Sequence, residues 1–415
     1  MSSEAKPSRG IWAPVPSRVR RLILFQSLNG LTFGYFIIYV TAFLPERGIS
    51  SVVVATVISL EGIAVVLAGI PFAILSDRRG RKWFLIAGNL LFAPTILVFA
   101  LTMNVAALYG AAALGGLGEA MGLSSWNAMI ADQTELGNRD SAFSLSFIVS
   151  TAGFSLGSAL PLVFPPLEGP LHIGVVAMHS SVLLVLGLSA FSAPAAFWVL
   201  LRDYEEKHLN QQADKLSVGG MRQTLKFSFF NSIIGFGAGL IIPLVATWFL
   251  YKFQVTDTYS GPYLALSGMT IAFSAIASPR LSRRLGLFPA IVATAGSSTL
   301  FMFSLAFIPN VYAAGAVYLV RSGLMNMNGP LMDSFLMGIT PPKRRGLASM
   351  LNAVIWRLPN NTSTFIGGFF LSSSQFNVSA LGISHLDLPW VLASVLYIVG
   401  IGLLFTNFRN VKPTG

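Results

Sequence analysis

Cysteine is absent from this 415-residue chain, so it builds neither a disulfide framework nor a thiolate metal site. Charge is scarce: Asp, Glu, Lys and Arg make up 10 % of the residues, where a soluble domain carries roughly a quarter. So little charge leaves too little polar surface to hold a globule of this size in water. Apolar residues make up 54 %, which excludes an intrinsically disordered chain. No Gly-x-x-x-x-Gly-Lys-Ser/Thr run occurs and no polar stretch is long enough for a nucleotide-binding domain, so ATP-driven work is not expected. The four histidines, His172, His179, His208 and His385, are scattered at or beyond the ends of apolar runs, with no metal-ligand spacing. Neither a metal nor another cofactor is expected, and the chain is not read as an enzyme. What remains is a polytopic membrane protein.

Apolar segments fall at about 22–45, 51–75, 83–103, 105–131, 141–164, 173–201, 226–251, 260–279, 287–308, 311–338, 346–371 and 388–407. Each meets the ~20 residues that a spanning helix needs. This predicts an all-α integral membrane protein with twelve transmembrane helices. The segment Met1–Arg21 is polar and basic, and the run Leu22–Leu44 is too long for a signal-peptide core. It is read as a retained first helix. The longest polar loop, Arg202–Arg222, divides the chain. The expected units are a tail 1–21, a six-helix bundle 22–201, a central loop 202–225, a second six-helix bundle 226–407 and a tail 408–415.

The 27 basic residues sort sharply between the two sides. Twenty-three fall in the tails and the loops on the side of the termini, while only Arg47 and Lys252 fall opposite. Arg321 and Arg357 lie inside spans. Short loops rich in Lys and Arg stay in the cytoplasm, so both termini are expected there, in an inner or plasma membrane. The net charge of +11 is then a topology signal and not a nucleic-acid footprint. The expected partners are the lipid bilayer, a small-molecule substrate and protons, with the chain acting as a monomer.

The two halves echo each other at an offset of about 206 residues, the pattern of internally repeated transporter folds. Leu60-Glu61-Gly62 faces Leu266-Ser267-Gly268, the basic loop Arg78–Lys82 faces Arg280–Arg284, and Arg139 faces Arg345. Asn29 faces Asn231 at a slightly shorter offset.

The loop between spans 2 and 3 reads Ala73-Ile74-Leu75-Ser76-Asp77-Arg78-Arg79-Gly80-Arg81-Lys82. It resembles the Gly-x-x-x-Asp-Arg/Lys-x-Gly-Arg-Arg/Lys signature of the major facilitator superfamily, at the position where that family carries it. Asp77, Arg78, Gly80, Arg81 and Lys82 match, and Ala73 replaces the first glycine. The resemblance implies the major facilitator fold, with spans 1, 2, 4, 5, 7, 8, 10 and 11 lining a central cavity and spans 3, 6, 9 and 12 facing lipid. It also implies that Asp77 and Arg81 act as a cytoplasmic gate, a cluster broken and remade between two states. The basic run sets topology in either case. Gly153, Gly157 and Pro161 in span 5 partly match the drug:proton antiporter branch, but span 4 lacks that branch's Arg.

A charge at mid-bilayer costs about 2.5–3.5 kcal/mol on insertion scales, so an ionisable residue inside a span marks a functional site. Four lie deep: Glu61, Glu119, Arg321 and Arg357, all on spans that the resemblance assigns to the cavity. Asp333 lies nearer a span end. Glu61 has only Val57, Ile58, Ala64, Val65 and Ala68 on its helical face. A carboxylate among such neighbours lacks water, so Glu61 and Glu119 are the candidates to bind and release a proton. Arg321 is a candidate for an anionic substrate group, with neutralisation by Glu119 or Asp333 as the structural alternative. Glu61 and Arg357 would meet where spans 2 and 11 pack, either as a switching pair or as a permanent one.

Gln26, Asn29, Trp126, Asn231, Asn328 and Asn361 complete the substrate-cavity candidates, although interhelical hydrogen bonding explains such residues equally well. Tyr35 and Tyr39 are read as cavity walls or interfacial belt residues, and Trp248 as a belt residue. Gly235, Gly237, Gly239 and Pro243 are expected to loosen span 7.

These features predict a secondary active transporter working by alternating access, proton-coupled and moving a small amphipathic organic solute, with efflux as the default direction. The alternative is a symporter or facilitator for an organic anion or a sugar-like nutrient.

Overall fold

In the computed structural model the described residues are 15–204, 221–341 and 344–411. Most of the central loop 202–225, the outer parts of both tails and Lys343 lie outside them. Among the described residues the chain makes twelve helical passes. Pass 1 is α1 (Ser17–Ile38), a π-helical turn (Tyr39–Phe43) and α2 (Leu44–Glu46). Passes 2, 3 and 4 are α3 (Ser51–Arg79), α4 (Arg81–Leu101) and α5 (Val105–Asp132). Pass 5 joins α6 (Leu136–Ala159) to α7 (Phe164–Leu171) through a 3₁₀ turn, and pass 6 is α8 (Val175–Ser189) with α9 (Ser192–Leu200). Pass 7 joins α10 (Arg222–Gly239) to α11 (Val245–Phe253) through the 3₁₀ turn Ile242–Leu244. Passes 8 to 12 are α12 (Asp257–Leu285), α13 (Leu287–Leu305), α14 (Val311–Ile339), α15 (Arg345–Ser372) and α16 (Leu388–Phe408).

Local chemistry sets the helix ends. Asn104 caps α5 by accepting from the Ala107 N–H at 3.1 Å, and Asn310 caps α14 by accepting from Tyr312 and Ala313. Gly80 ends α3 at φ +113° and Gly286 ends α12 at φ +89°, a backbone region that favours glycine. These two turns lie 206 residues apart, and α3 and α12 are both 29 residues long. The internal repeat is therefore structural.

Among the described residues eight passes are long and apolar enough to cross a membrane on length and composition alone. The other four, α5, α12, α14 and α15, are helices of 28 or 29 residues. Their apolar runs are broken by Gly, Ser, Asn and charged residues, among them Glu119, Arg321 and Arg357. Pass 7 breaks after Gly239 and around Pro243, as its composition predicts.

Ser17 and Phe408, an even number of passes apart, share one face of the molecule, here the terminal face; the opposite one is the distal face. The two bundles meet where α3 packs on α15 and α6 packs on α12. The described polar links between them lie in the distal half. Ser51 Oγ donates to the Gly368 carbonyl at 2.9 Å, Ser59 Oγ to the Asn361 carbonyl at 2.7 Å and Thr247 Oγ1 to the Thr41 carbonyl at 2.5 Å. Glu46 and His179 of the first bundle both engage Asp257 of the second. The molecule is thus sealed distally.

Trp248 is not an interfacial belt residue. It is fully buried in the second bundle, with Trp390 and Phe249 edge-on at 5.0 and 5.1 Å and the Lys252 ammonium 5.1 Å from its ring. Tyr35 and Tyr39 are also fully buried, in the apolar core beneath the distal seal.

Candidate functional site

Five of the residues singled out in the sequence converge. Gln26 and Asn29 of α1, Glu61 of α3, and Glu119 and Trp126 of α5 line one cavity of about 350 Å³ inside the first bundle. Gly115, Gly118 and Gly122 of α5 provide the space, and Phe33, Phe92 and Trp126 provide aromatic walls. Packing is tight behind Glu61. A Cβ at Gly116 would collide with the Glu61 carbonyl oxygen, and one at Gly62 would collide with the side chain of Asn361. Glycines on both sides of Glu61 therefore let α5 and α15 close on α3.

The polar walls are mostly acceptors. Asn29 donates its side-chain N–H to Asn89 Oδ1, and Asn89 in turn donates to the Leu85 carbonyl at 2.7 Å. The Trp126 indole N–H donates to Ser146 Oγ at 3.1 Å. Gln26 Oε1 and Asn29 Oδ1 are buried acceptors without a protein donor. Glu61 and Glu119 are close enough for their charges to interact, and Arg357 acts electrostatically on Glu119. Among the described residues Glu61 makes no ion pair with Arg357. The pairing expected across spans 2 and 11 is not formed, because Asn361, and not Arg357, is the α15 residue level with Gly62. Arg357 lies one helical turn nearer the terminal face and is exposed.

The remaining candidates lie elsewhere. Arg321 is 4 % exposed and turned into the second bundle, where Nη2 donates to Tyr397 Oη at 2.9 Å and approaches Met302 Sδ at 3.8 Å. It therefore contacts α13 and α16, which the resemblance placed against lipid, and not the cavity. Glu119 and Asp333 do not neutralise it. Asn328 is fully buried in the same bundle, and Asn231 is nearly so. Asp333 is exposed. The third span is no mere lipid wall either, since Gly88, Asn89 and Phe92 of α4 line the cavity. Asn89 was legible as a polar residue at the middle of an apolar run, but the family architecture drew attention away from it.

At the terminal face the motif residues fold into one cluster. Arg81 donates to Asp77 Oδ1 from Nε at 2.9 Å and from Nη2 at 2.7 Å, and its Nη1 donates to Asp132 Oδ2 at 2.7 Å. Tyr204 Oη donates to the same Asp132 oxygen at 2.8 Å. Gly80 makes the turn, Lys82 lies 5.5 Å from the Trp83 ring, and Arg78 is exposed. Asp132 and Tyr204 complete the cluster from sequence positions far outside the motif.

A twelve-pass helical molecule with a cavity that holds two acids belongs to the class of small-molecule membrane transporters. The chain is a member of the Major Facilitator Superfamily, whose family model matches residues 22–360. It is similar to the uncharacterized MFS-type transporter YceJ of Bacillus subtilis (strain 168), 24 % identical over 171 residues, or 41 % of this chain and 40 % of that protein. It is also similar to the inner membrane transport protein YajR of Escherichia coli (strain K12), 26 % identical over 154 residues, or 37 % of this chain and 32 % of that protein. The matched stretches thus span less than half of either relative.

Among solved structures, the chain resembles a bacterial homolog of the human lysosomal transporter Spinster in an inward-facing and occupied conformation. The TM-score is 0.75 at 15 % identity, covering 97 % of this chain and 98 % of that one. The nucleoside transporter NupG gives a TM-score of 0.73 at 13 % identity, over 96 % and 100 % of the two chains. At these identities the likeness is one of fold.

Proposed function

We propose that this protein is a proton-coupled secondary transporter that exports a small amphipathic organic solute by alternating access, with the first-bundle cavity as the cargo site and Glu61 and Glu119 as the proton carriers. The observation that carries this reading is the composition of the cavity wall: two neighbouring carboxylates, two unpaired carbonyl acceptors and three aromatic rings. Such a wall suits a solute that is cationic or rich in hydrogen-bond donors. A cation and a proton would compete for the same acids, which is the basis of exchange. This reading leans toward the drug:proton antiporter branch of the family and toward efflux.

The positive charge of the terminal face supports a cytoplasmic location for both termini, in an inner or plasma membrane. With the distal seal closed, the molecule is then in the state that loads from the cytoplasm. The rocking units are residues 22–201 and 226–407, joined by 202–225, and the transporter works as a monomer. Asp77 and Arg81, here engaged within the first bundle, would be the cytoplasmic gate when the bundles close on that side.

The alternative, an organic-anion or sugar-like nutrient symporter or facilitator, draws on Arg357, which acts electrostatically on Glu119. Reconstitution into liposomes with an imposed pH gradient and a panel of labelled solutes separates the two. Cationic dyes moving against protons support the first. Uptake of anions or neutral sugars, with cations ignored, would replace it with the second.

A further inference from the structure

His179 at the start of α8 and Asp257, the first residue of α12, belong to different bundles. Nε2 of the histidine and Oδ2 of the aspartate are 3.2 Å apart, and their side chains are 0 % and 2 % exposed. The contact joins the two bundles, and neither of these two buried atoms has a hydrogen-bond partner among the described residues. Phe43 stacks on the imidazole at 4.0 Å and Phe164 meets it edge-on at 4.7 Å. The Tyr35 hydroxyl lies 2.9 Å from His179 Nδ1 and 3.1 Å from the His179 carbonyl oxygen. On the other side Glu46, which is exposed, accepts the backbone N–H of Asp257 at 2.8 Å. The other ionisable groups facing the cluster are Tyr39 of the π-helical turn and Arg47, which acts on Tyr39. Lys252 of α11 is already held by Asp387 at 2.7 Å.

We propose that His179 and Asp257 form a proton-binding site whose occupancy closes the distal seal. Closing takes both side chains out of water together. A buried carboxylate beside a second carboxylate, Glu46, is poorly tolerated unless its charge is offset. One proton held between Asp257 and His179 supplies that offset.

The tyrosine makes room for either form. Its single hydroxyl proton donates to Nδ1 when the ring proton sits on Nε2 and faces Asp257. When it donates to the carbonyl instead, Nδ1–H donates to the tyrosine oxygen and Nε2 is free to share the extra proton with Asp257. Glu46, the exposed member, is the entry from distal water. When the bundles part at this face, His179 leaves with the first and Asp257 with the second. Both then meet water, and the proton is released. Closure therefore takes up one proton. Acid favours the sealed, terminal-open state, and base favours the distal-open state. The inference deepens the proton-coupled reading above and rests on it for the direction of proton travel.

The absence of cysteine makes the test direct. Met103→Cys and Phe307→Cys place spin labels on exposed distal loops, one in each bundle, 39 % and 54 % exposed. Pulsed electron spin resonance on the full chain in liposomes then reads the distal separation from pH 8.5 to 5.5. The short-distance population should grow as pH falls, the closed-to-open ratio changing by up to about tenfold per pH unit for one linked proton. Asp257→Asn should flatten the response, and Asp257→Glu should restore it. A parent protein with no response, or an Asp257→Asn variant that responds like the parent, overturns the proposal.

The double variant Glu61→Gln/Glu119→Gln separates this site from the cavity. Its distal distance should still titrate; loss of titration there would overturn the proposal, since the gating proton would then belong to the cavity. Transport that ignores a pH gradient, while the distance still titrates through Asp257, would remove the coupling reading and support the seal.

Discussion

Arg81 at the start of α4 holds Asp132 at the end of α5, Nη1 to Oδ2 at 2.7 Å, while its other donors hold Asp77. These three residues therefore form a clamp across the terminal ends of α3, α4 and α5. The Asp132 side chain is 19 % exposed and that of Asp77 is 46 % exposed, so Asp132 is the better shielded partner. We expect Asp132→Asn to slow transport more than Asp77→Asn. A hydrogen bond to a charged group contributes about 1.5–3 kcal/mol, enough to shift the balance of states about tenfold or more. Turnover in liposomes, measured beside equilibrium solute binding, checks this: turnover should fall with binding kept. Equal loss in both variants would assign the effect to charge alone.

Gly122 and Gly116 meet different surroundings on α5. Gly122 lines the cavity, and a Cβ added there meets nothing within 4 Å. At Gly116 the same atom meets the Glu61 carbonyl oxygen, and Ala64 Cβ at 2.8 Å. Gly122→Leu should block solute binding with thermal stability unchanged. Gly116→Val should lower stability by about 1–3 kcal/mol through overpacking. Thermal unfolding in detergent and a binding isotherm on each variant separate the two effects.

Arg321 is a structural cation in this architecture. Tyr397→Phe removes the acceptor of its Nη2 proton and leaves a buried charge short of a partner. The expected cost is about 1.5–3 kcal/mol of stability, with solute affinity unaltered. A loss of affinity for anionic solutes at unchanged stability would instead return Arg321 to the substrate path.

Thr247 Oγ1 donates to the Thr41 carbonyl across the distal seal. Thr41→Cys/Thr247→Cys, bridged by a short thiol-specific cross-linker, should hold the seal shut and stop transport. The parent chain has no cysteine to react. Binding from the terminal face should persist. Continued transport after complete cross-linking would show that this seam does not open in the cycle.

The fold was readable from the sequence because bilayer thickness fixes helix length. Even the less hydrophobic helices α5, α12, α14 and α15 coincide with apolar segments of the sequence. The 206-residue offset read from short motifs reappears in the paired turns at Gly80 and Gly286. The site was legible in part. Glu61, Glu119, Gln26, Asn29 and Trp126 line one cavity because polar groups in a membrane protein collect where they find one another.

Helical position alone does not tell which neighbour a side chain meets. Arg321 turned toward Tyr397, 76 residues away, and Arg357 missed Glu61 by a turn. Asp132, 51 residues from Arg81, was hidden for the same reason. His179 and Asp257 looked like ordinary membrane-edge residues until the tertiary packing enclosed them.

The central claim is that cargo and proton share the acids of the first-bundle cavity. The most direct measurement is proton release when a lipophilic organic cation is added to the purified protein in weakly buffered solution. The account predicts about one proton released per cation bound, and none in Glu61→Gln/Glu119→Gln. Saturable cation binding to the unaltered protein with no proton released would contradict it.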